Sequence, residues 1–247
     1  MSGNEGLSRR AAIDAPWECV SDPAEEVANT HSGGLDVSAI ARDEIVKLTE
    51  CLFSLAGISQ PPRSVIFASV DPGEGSSRIC ARVSQALAER SSKPVCVLDA
   101  NLYFPSLHRQ FGLPNICGLE DMVLGERPIR NMARQLSPAN LWMVTAGRRH
   151  VEPHALLSST RLRERLVQLK NDFDYLLIEA PPVSINGTAA LLGPLADGVV
   201  LVVDANSTRR EVARSAKASL ERANVRLLGA VLNDRTFPIP DAIYRNI

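Results

Sequence analysis

With 247 residues, 45% of them apolar and few aromatic, the chain suits one large domain with an aliphatic core plus a tail. Its 27 basic and 28 acidic side chains, formal net charge −1, leave no electrostatic footprint for nucleic acid or anionic lipid, and nucleic acid is discounted as a partner. No charged-then-apolar leader opens the chain and no apolar run reaches the ~18 residues of a membrane span, so a cytoplasmic protein is expected.

Residues 1 to 38 mix Gly, Ser, Asn, Glu and Pro without apolar periodicity, which predicts a flexible N-terminal arm whose one conspicuous apolar residue is Trp17. Residues 39 to 247 are left as a single domain. Ile45, Leu48, Leu52 and Leu55 recur at helical spacing, predicting a helix from Asp43 to Leu55 before Gly57 and the Pro61-Pro62 break. Strands are then predicted at 64–69, 95–99, 141–145, 175–179, 198–203 and 226–232. Helices fall between them at 76–90, near 119–125, at 159–171, near 188–195 and at 208–223. The strand runs, such as Val199-Val200-Leu201-Val202-Val203, are continuously apolar, as strands covered on both faces should be. The expectation is an α/β, doubly wound, mostly parallel sheet flanked by helices, whose ligands sit beyond the carboxyl ends of the strands. Cys19, Cys51, Cys80, Cys96 and Cys117 are scattered, odd in number and never spaced Cys-x-x-Cys; they read as reduced thiols, Cys80 and Cys96 as small buried hydrophobes.

At the first strand end, Val65 to Arg78 reads as a buried strand, a glycine-bearing turn and a helix start. Pro72, Gly73, Glu74, Gly75, Ser76, Ser77 and Arg78 have the outline of a phosphate-binding loop, with N–H groups turned toward an anion at a helix N-terminus. The usual pattern ends Gly-Lys-Ser/Thr, and here Ser76 follows Gly75. Loss of one charge-assisted hydrogen bond costs roughly 1.5–3 kcal/mol, about tenfold to a hundredfold in affinity. Ser77 stands where a loop hydroxyl ligates magnesium. Arg78 is either a substitute cation or a solvated arginine. Asp99 ends the second strand, followed by Asn101, and Glu179 ends the fourth; acids there suit magnesium coordination beside a phosphate loop. Asn233 at the last strand end reads either as an adenine contact or as a strand-ending turn residue. His150 and His154 flank Pro153 and read as loop rather than a helical metal pair. Arg161, Arg163, Arg165 and Lys170 read as a solvated face.

Asp99-Ala100-Asn101-Leu102-Tyr103-Phe104-Pro105, Glu179-Ala180-Pro181-Pro182 and the loop together resemble the bacterial tyrosine kinases, or BY-kinases, of capsular and exopolysaccharide polymerisation and export. That family carries Ser-x-x-Pro-Gly-x-Gly-Lys-Ser/Thr, Asp-x-Asp-x-Arg-x-Pro and a third motif ending Asp-x-Pro-Pro. The resemblance continues through Pro105 to Pro114, Thr145-Ala146-Gly147, Ala155 to Ser159, Phe173-Asp174-Tyr175, Ala196-Asp197-Gly198 and Gly229 to Asn233, covering about residues 42 to 247. It implies a P-loop NTPase fold of the partition-ATPase and BY-kinase type. ATP or ADP with Mg2+ is the implied cofactor, with Ser77, Asp99 and Glu179 at the metal and Asp99 and Asn101 in the catalytic positions. It further implies a membrane-embedded polysaccharide co-polymerase or export protein as partner, reached from the inner face of the membrane. A homo-oligomer is implied through a helix resembling Glu-x-x-Arg-x-x-Arg, matched here by Glu44, Lys47 and Glu50.

The chain departs from the pattern at Ser76 for lysine, Asn101 for aspartate, Tyr103 for arginine and Glu179 for aspartate. Its tail has one tyrosine, Tyr244, where the family has several as phospho-acceptors. The expectation is therefore a degenerate member acting as regulator or scaffold, with nucleotide binding weakened or lost and phosphotransfer impaired or absent. Two alternatives are a working tyrosine autokinase using Arg78, Asp99 and Glu179 with Tyr244 as acceptor, and a partition-type ATPase. The latter group's loop begins Lys-Gly-Gly where this chain has Asp71-Pro72.

Overall fold

The computed structural model describes residues 37–53, 61–148, 151–185 and 187–234. The arm up to residue 36, Trp17, Leu55, His150 and Tyr244 lie outside the described residues. The first helix, α1 (Val37–Phe53), begins before the predicted Asp43 and takes in Val37 and Ser38, the last two residues of the expected arm.

Continuous apolar runs become strands buried on both faces. β1 (Ser64–Ser69) is buried at every position, and β2 (Val95–Asp99), β4 (Leu141–Val144), β5 (Tyr175–Glu179) and β6 (Gly198–Asp204) are buried along most of their length. With β3 (Arg134–Gln135) and β7 (Leu227–Asn233) they form one seven-stranded sheet in the order β3-β4-β2-β5-β1-β6-β7. All neighbours are parallel except β3 against β4.

Alternate side chains of β1 enter different cores. Val65 and Phe67 pack with α1, α2 (Ser76–Arg90) and α3 (Leu107–Gln110) through residues such as Phe53, Val83, Leu87 and Leu107. Ile66 and Ala68 point the other way, toward Met122 of α4 (Leu119–Leu124), Leu157 of α5 (Pro153–Leu157), Leu166 of α6 (Thr160–Asp172), Leu192 of α7 (Thr188–Leu192) and Leu220 of α8 (Arg210–Arg222). This is the expected doubly wound, mostly parallel sheet. Cys80 and Cys96 are buried, and burial pushes both thiols up from their ordinary range, as inert packing residues require.

Four short elements lie outside the sequence expectation, the 3-10 turn Ile129–Asn131 among them. β3 contributes two residues, and α3 and α5 are single turns. Pro153 does not break the chain near His154 but opens α5, where its missing N–H costs nothing, and Glu152 caps that helix by accepting from Ala155 N at 2.7 Å. His154 is thus helical rather than in a loop. Part of the basic stretch on α6 is likewise not simply solvated: Arg161 and Arg165 both donate to the Gly125 carbonyl, which closes the end of α4. No described helix is long and apolar enough to cross a membrane.

The central position of β1, between β5 and β6, brings the turn after it next to the carboxyl ends of β5 and β6 and near that of β2.

Candidate functional site

A cavity of about 340 Å³ opens beyond these strand ends, lined by the loop residues Pro72, Gly73, Gly75, Ser76, Ser77 and Arg78 and, opposite them, by Asn101, Ser106 and Glu179. Ser69, Phe104, Gln110, Pro182 and Asp234 complete the wall. The sequence-predicted loop and strand-end residues are thus brought together, with Asp99 buried beneath them.

The loop earns its shape from two glycines at φ +89° (Gly73) and +87° (Gly75), a region that side chains rarely adopt. Gly75 is also the N-cap of α2 and makes no side-chain cap, so the opening turn of α2 meets the cavity with main-chain donors. A Cβ at Gly75 would lie 2.5 Å from Asn233 Nδ2. The outline expected of an anion cradle is present.

Its electrostatics are unusual. Asp99 and Glu179 face each other in the β2–β5 register, and both are fully buried. Glu179 Oε1 accepts from Ser77 Oγ at 2.5 Å, Ser76 Oγ at 3.3 Å and Asn101 Nδ2 at 3.4 Å. Its Oε2 is buried with no hydrogen-bond partner. Asp99 accepts from the main-chain N–H groups of Asn101 (3.1 Å) and Leu107 (3.3 Å). Among the described residues neither carboxylate has a lysine or arginine partner. Burial pushes Glu179 up to about 7, against the smaller opposing effect of its hydrogen bonds. Burial first, then the neighbouring Glu179 charge, raises Asp99 well above the ordinary carboxylate range. The position where a phosphate loop carries lysine holds Ser76, whose hydroxyl bonds to the very carboxylate that a cation would neutralise.

Tyr103, in the position of the family's arginine, packs its ring against the core on the α4–α8 side, with its hydroxyl buried and unpartnered. Asn101 turns inward instead, its Oδ1 accepting from Phe104 N at 3.1 Å. Arg78 is not a freely solvated arginine: it lines the cavity and donates to Asp234 Oδ1 at 2.8 Å. Asn233 ends β7 and donates through Nδ2 to the Glu74 carbonyl (3.0 Å) and to Asp234 Oδ2 (3.1 Å), tying that strand end to the loop. Glu74 itself is buried and points away from the cavity, into the base of the loop.

Three participants were missed by reading the sequence. The Ser106 hydroxyl lies 2.5 Å from that of Ser77. Thr208 donates to Glu74 Oε1, and Asp234 holds Arg78. Extending the strand-end search to the residues after β6 and β7 would have found the last two.

Buried carboxylates with an orphaned oxygen beside the hydroxyls of Ser77 and Ser106 form the oxygen donor set of a hard divalent cation, so these residues fit Mg2+. Among the described residues no group of three or more His, Cys, Asp or Glu side chains converges as a metal site, so hydroxyl oxygens would have to complete the set.

No family model matches the chain. It is 31% identical over 180 residues to the tyrosine-protein kinase YwqD of Bacillus subtilis, covering 73% of this chain and 76% of that one. Among solved structures it is similar to the chimerical protein CapA2B2, with TM-score 0.73, 23% identity and coverage of 79% of this chain and 85% of that chain. It is also similar to the VpsO kinase domain, with TM-score 0.72, 24% identity and coverage of 81% and 98%.

Proposed function

The chain belongs to the bacterial tyrosine kinase family, and from that premise we propose that it is a degenerate member that acts by binding rather than by phosphotransfer. It serves as a cytoplasmic regulator or scaffold of capsule or exopolysaccharide polymerisation and export, docked on a membrane-embedded co-polymerase or export protein. The observation that carries this reading is the Ser76–Glu179 hydrogen bond. Where phosphoryl transfer needs positive charge over the phosphates, the loop offers a hydroxyl, and the facing carboxylates stay uncompensated.

The altered residues weigh on the same reaction. Asn101 is neither a charged ligand nor a base. Tyr103 is packed against the core and supplies no cation. Removing a charge-assisted contact where transition-state charge develops costs on the order of a hundredfold to a thousandfold in rate. The main-chain cradle remains, which supports weakened binding of ATP or ADP with Mg2+ at Gly73, Gly75, Ser76, Ser77 and Arg78. Ser77, Asp99 and Glu179 would hold the metal, whose contribution is to neutralise phosphate charge.

The test is tyrosine autophosphorylation of the full chain with Mg-ATP. No labelling, or labelling slower by orders of magnitude than in lysine-bearing relatives, is expected; robust labelling overturns the proposal. One observation favours the second reading, an active autokinase using Asp99, Glu179 and the acceptor Tyr244: Arg78 is a cation on the cavity wall. On that reading Arg78→Ala abolishes labelling.

A further inference from the structure

Glu74 lies between the two loop glycines, and a residue there is usually taken as loop filler. Here its side chain is 4% exposed and engaged on both oxygens. Oε2 accepts from Val70 N at 2.7 Å and Asp71 N at 3.0 Å, the first main-chain donors after β1. Oε1 accepts from the hydroxyl of Thr208, in the connection between β6 and α8. The Glu74 carbonyl accepts from Asn233 Nδ2 at the end of β7. One residue therefore joins the exits of β1, β6 and β7.

This arrangement answers a mechanical question raised by Ser76. A loop lysine does more than meet phosphate: its ammonium can bind the loop's own carbonyls and stiffen the turn, and Ser76 is too short and too neutral to do so. A loop with two positive-φ glycines and no such tie would sample many conformations, and a nest pays off only when its N–H groups are already convergent. A buried carboxylate that takes two main-chain donors from the start of the loop restricts it from the other side. The Val70 N–H is shared with the Val202 carbonyl at 3.1 Å, so the tie also joins the loop to the β1–β6 ladder.

We propose that Glu74 is the positioning residue of this loop. Its carboxylate clamps Val70, Asp71 and Thr208, and so holds the Gly73–Ser77 main chain in its anion-binding shape without a loop lysine. The proposal rests on the phosphate-loop reading above only for what the loop receives; the clamp itself is a property of the free protein.

Two arms separate these claims. In the first, hydrogen exchange is followed by mass spectrometry on the full-length natural protein and on Glu74→Ala, Glu74→Gln and Thr208→Val. Glu74→Ala is expected to speed exchange across residues 70–77 about tenfold to a hundredfold, while the β4 segment stays unchanged. Glu74→Gln retains an oxygen for the two N–H groups and presents its amide to the Thr208 hydroxyl, so it should rescue the loop. Thr208→Val should give a smaller local increase. Unchanged loop exchange in Glu74→Ala, a uniform increase over the whole chain, or failure of Glu74→Gln to rescue overturns the proposal.

In the second arm, Mg-ADP is titrated calorimetrically into the natural protein, Glu74→Ala and Ser76→Lys. At least a tenfold loss of affinity from the natural protein to Glu74→Ala supports positioning of the anion site, and equal measurable affinity overturns it. Absence of binding to Ser76→Lys refutes the nucleotide reading, and where the natural protein binds no Mg-ADP the exchange arm decides the clamp by itself.

Discussion

At Glu179 one carboxylate oxygen, Oε2, is buried without a donor. The group binds its proton more tightly folded, at about 7, than unfolded, near 4.5. Its favourable contribution is therefore fully present below 4.5 and is lost as pH rises through about 7. Thermal unfolding in the presence of EDTA should show stability falling across that window. Glu179→Gln should flatten the slope and raise stability at pH 8 by about 1–3 kcal/mol, an amount bounded above by the size of the shift. Ser76→Lys should act on the same quantity from the other side, since an ammonium beside Glu179 stabilises the ionised form. It should flatten the slope too, and calorimetry with Mg-ATP should show affinity raised about tenfold to a hundredfold. A natural protein that binds Mg-ATP as tightly as Ser76→Lys would return the kinase reading to first place.

Among the elements, the connection from β1 to α2 is constrained at two glycines that both adopt positive φ. Gly75→Ala places a methyl in the left-handed region and drives it into Asn233 Nδ2, so urea unfolding should register a loss of about 2 kcal/mol or more. Gly73→Ala, with nothing within 4 Å, should cost only the backbone strain of about 1 kcal/mol. At the start of α6, Ser159 Oγ accepts from Leu162 N at 3.2 Å, and Ser159→Ala should cost about 1 kcal/mol. The long elements were legible because their signal is repeated: Val199 to Val203 says strand five times over, and Leu162, Leu166 and Leu169 mark one face of α6. The turns α3 and α5 are too short to show a period, and β3 exists because Arg134 and Gln135 lie against β4, a fact of packing. The site divides in the same way. Asp99 and Glu179 end apolar runs and announce themselves, whereas Thr208, Ser106 and Asp234 matter only because separate strand ends converge. The inward turn of Glu74 could not be read from its neighbours in sequence.

For the whole molecule, the strand order has a consequence for the timing of folding. β1 is made before every other strand, yet its partners in the sheet are β5 and β6, whose registers with it begin at Leu176 and Gly198. During synthesis β2 and β4 can pair while β1, apolar on both faces, still has neither neighbour. The turn after β1 is therefore among the last features to take shape, and the long-range closure predicts slow folding. A chain cut after Asp172 should retain no protected β1 amides and should aggregate, and in pulsed exchange during refolding the β2–β4 amides should be protected before those of β1. Until β5 arrives, a strand interior to the finished sheet is an exposed, sticky edge.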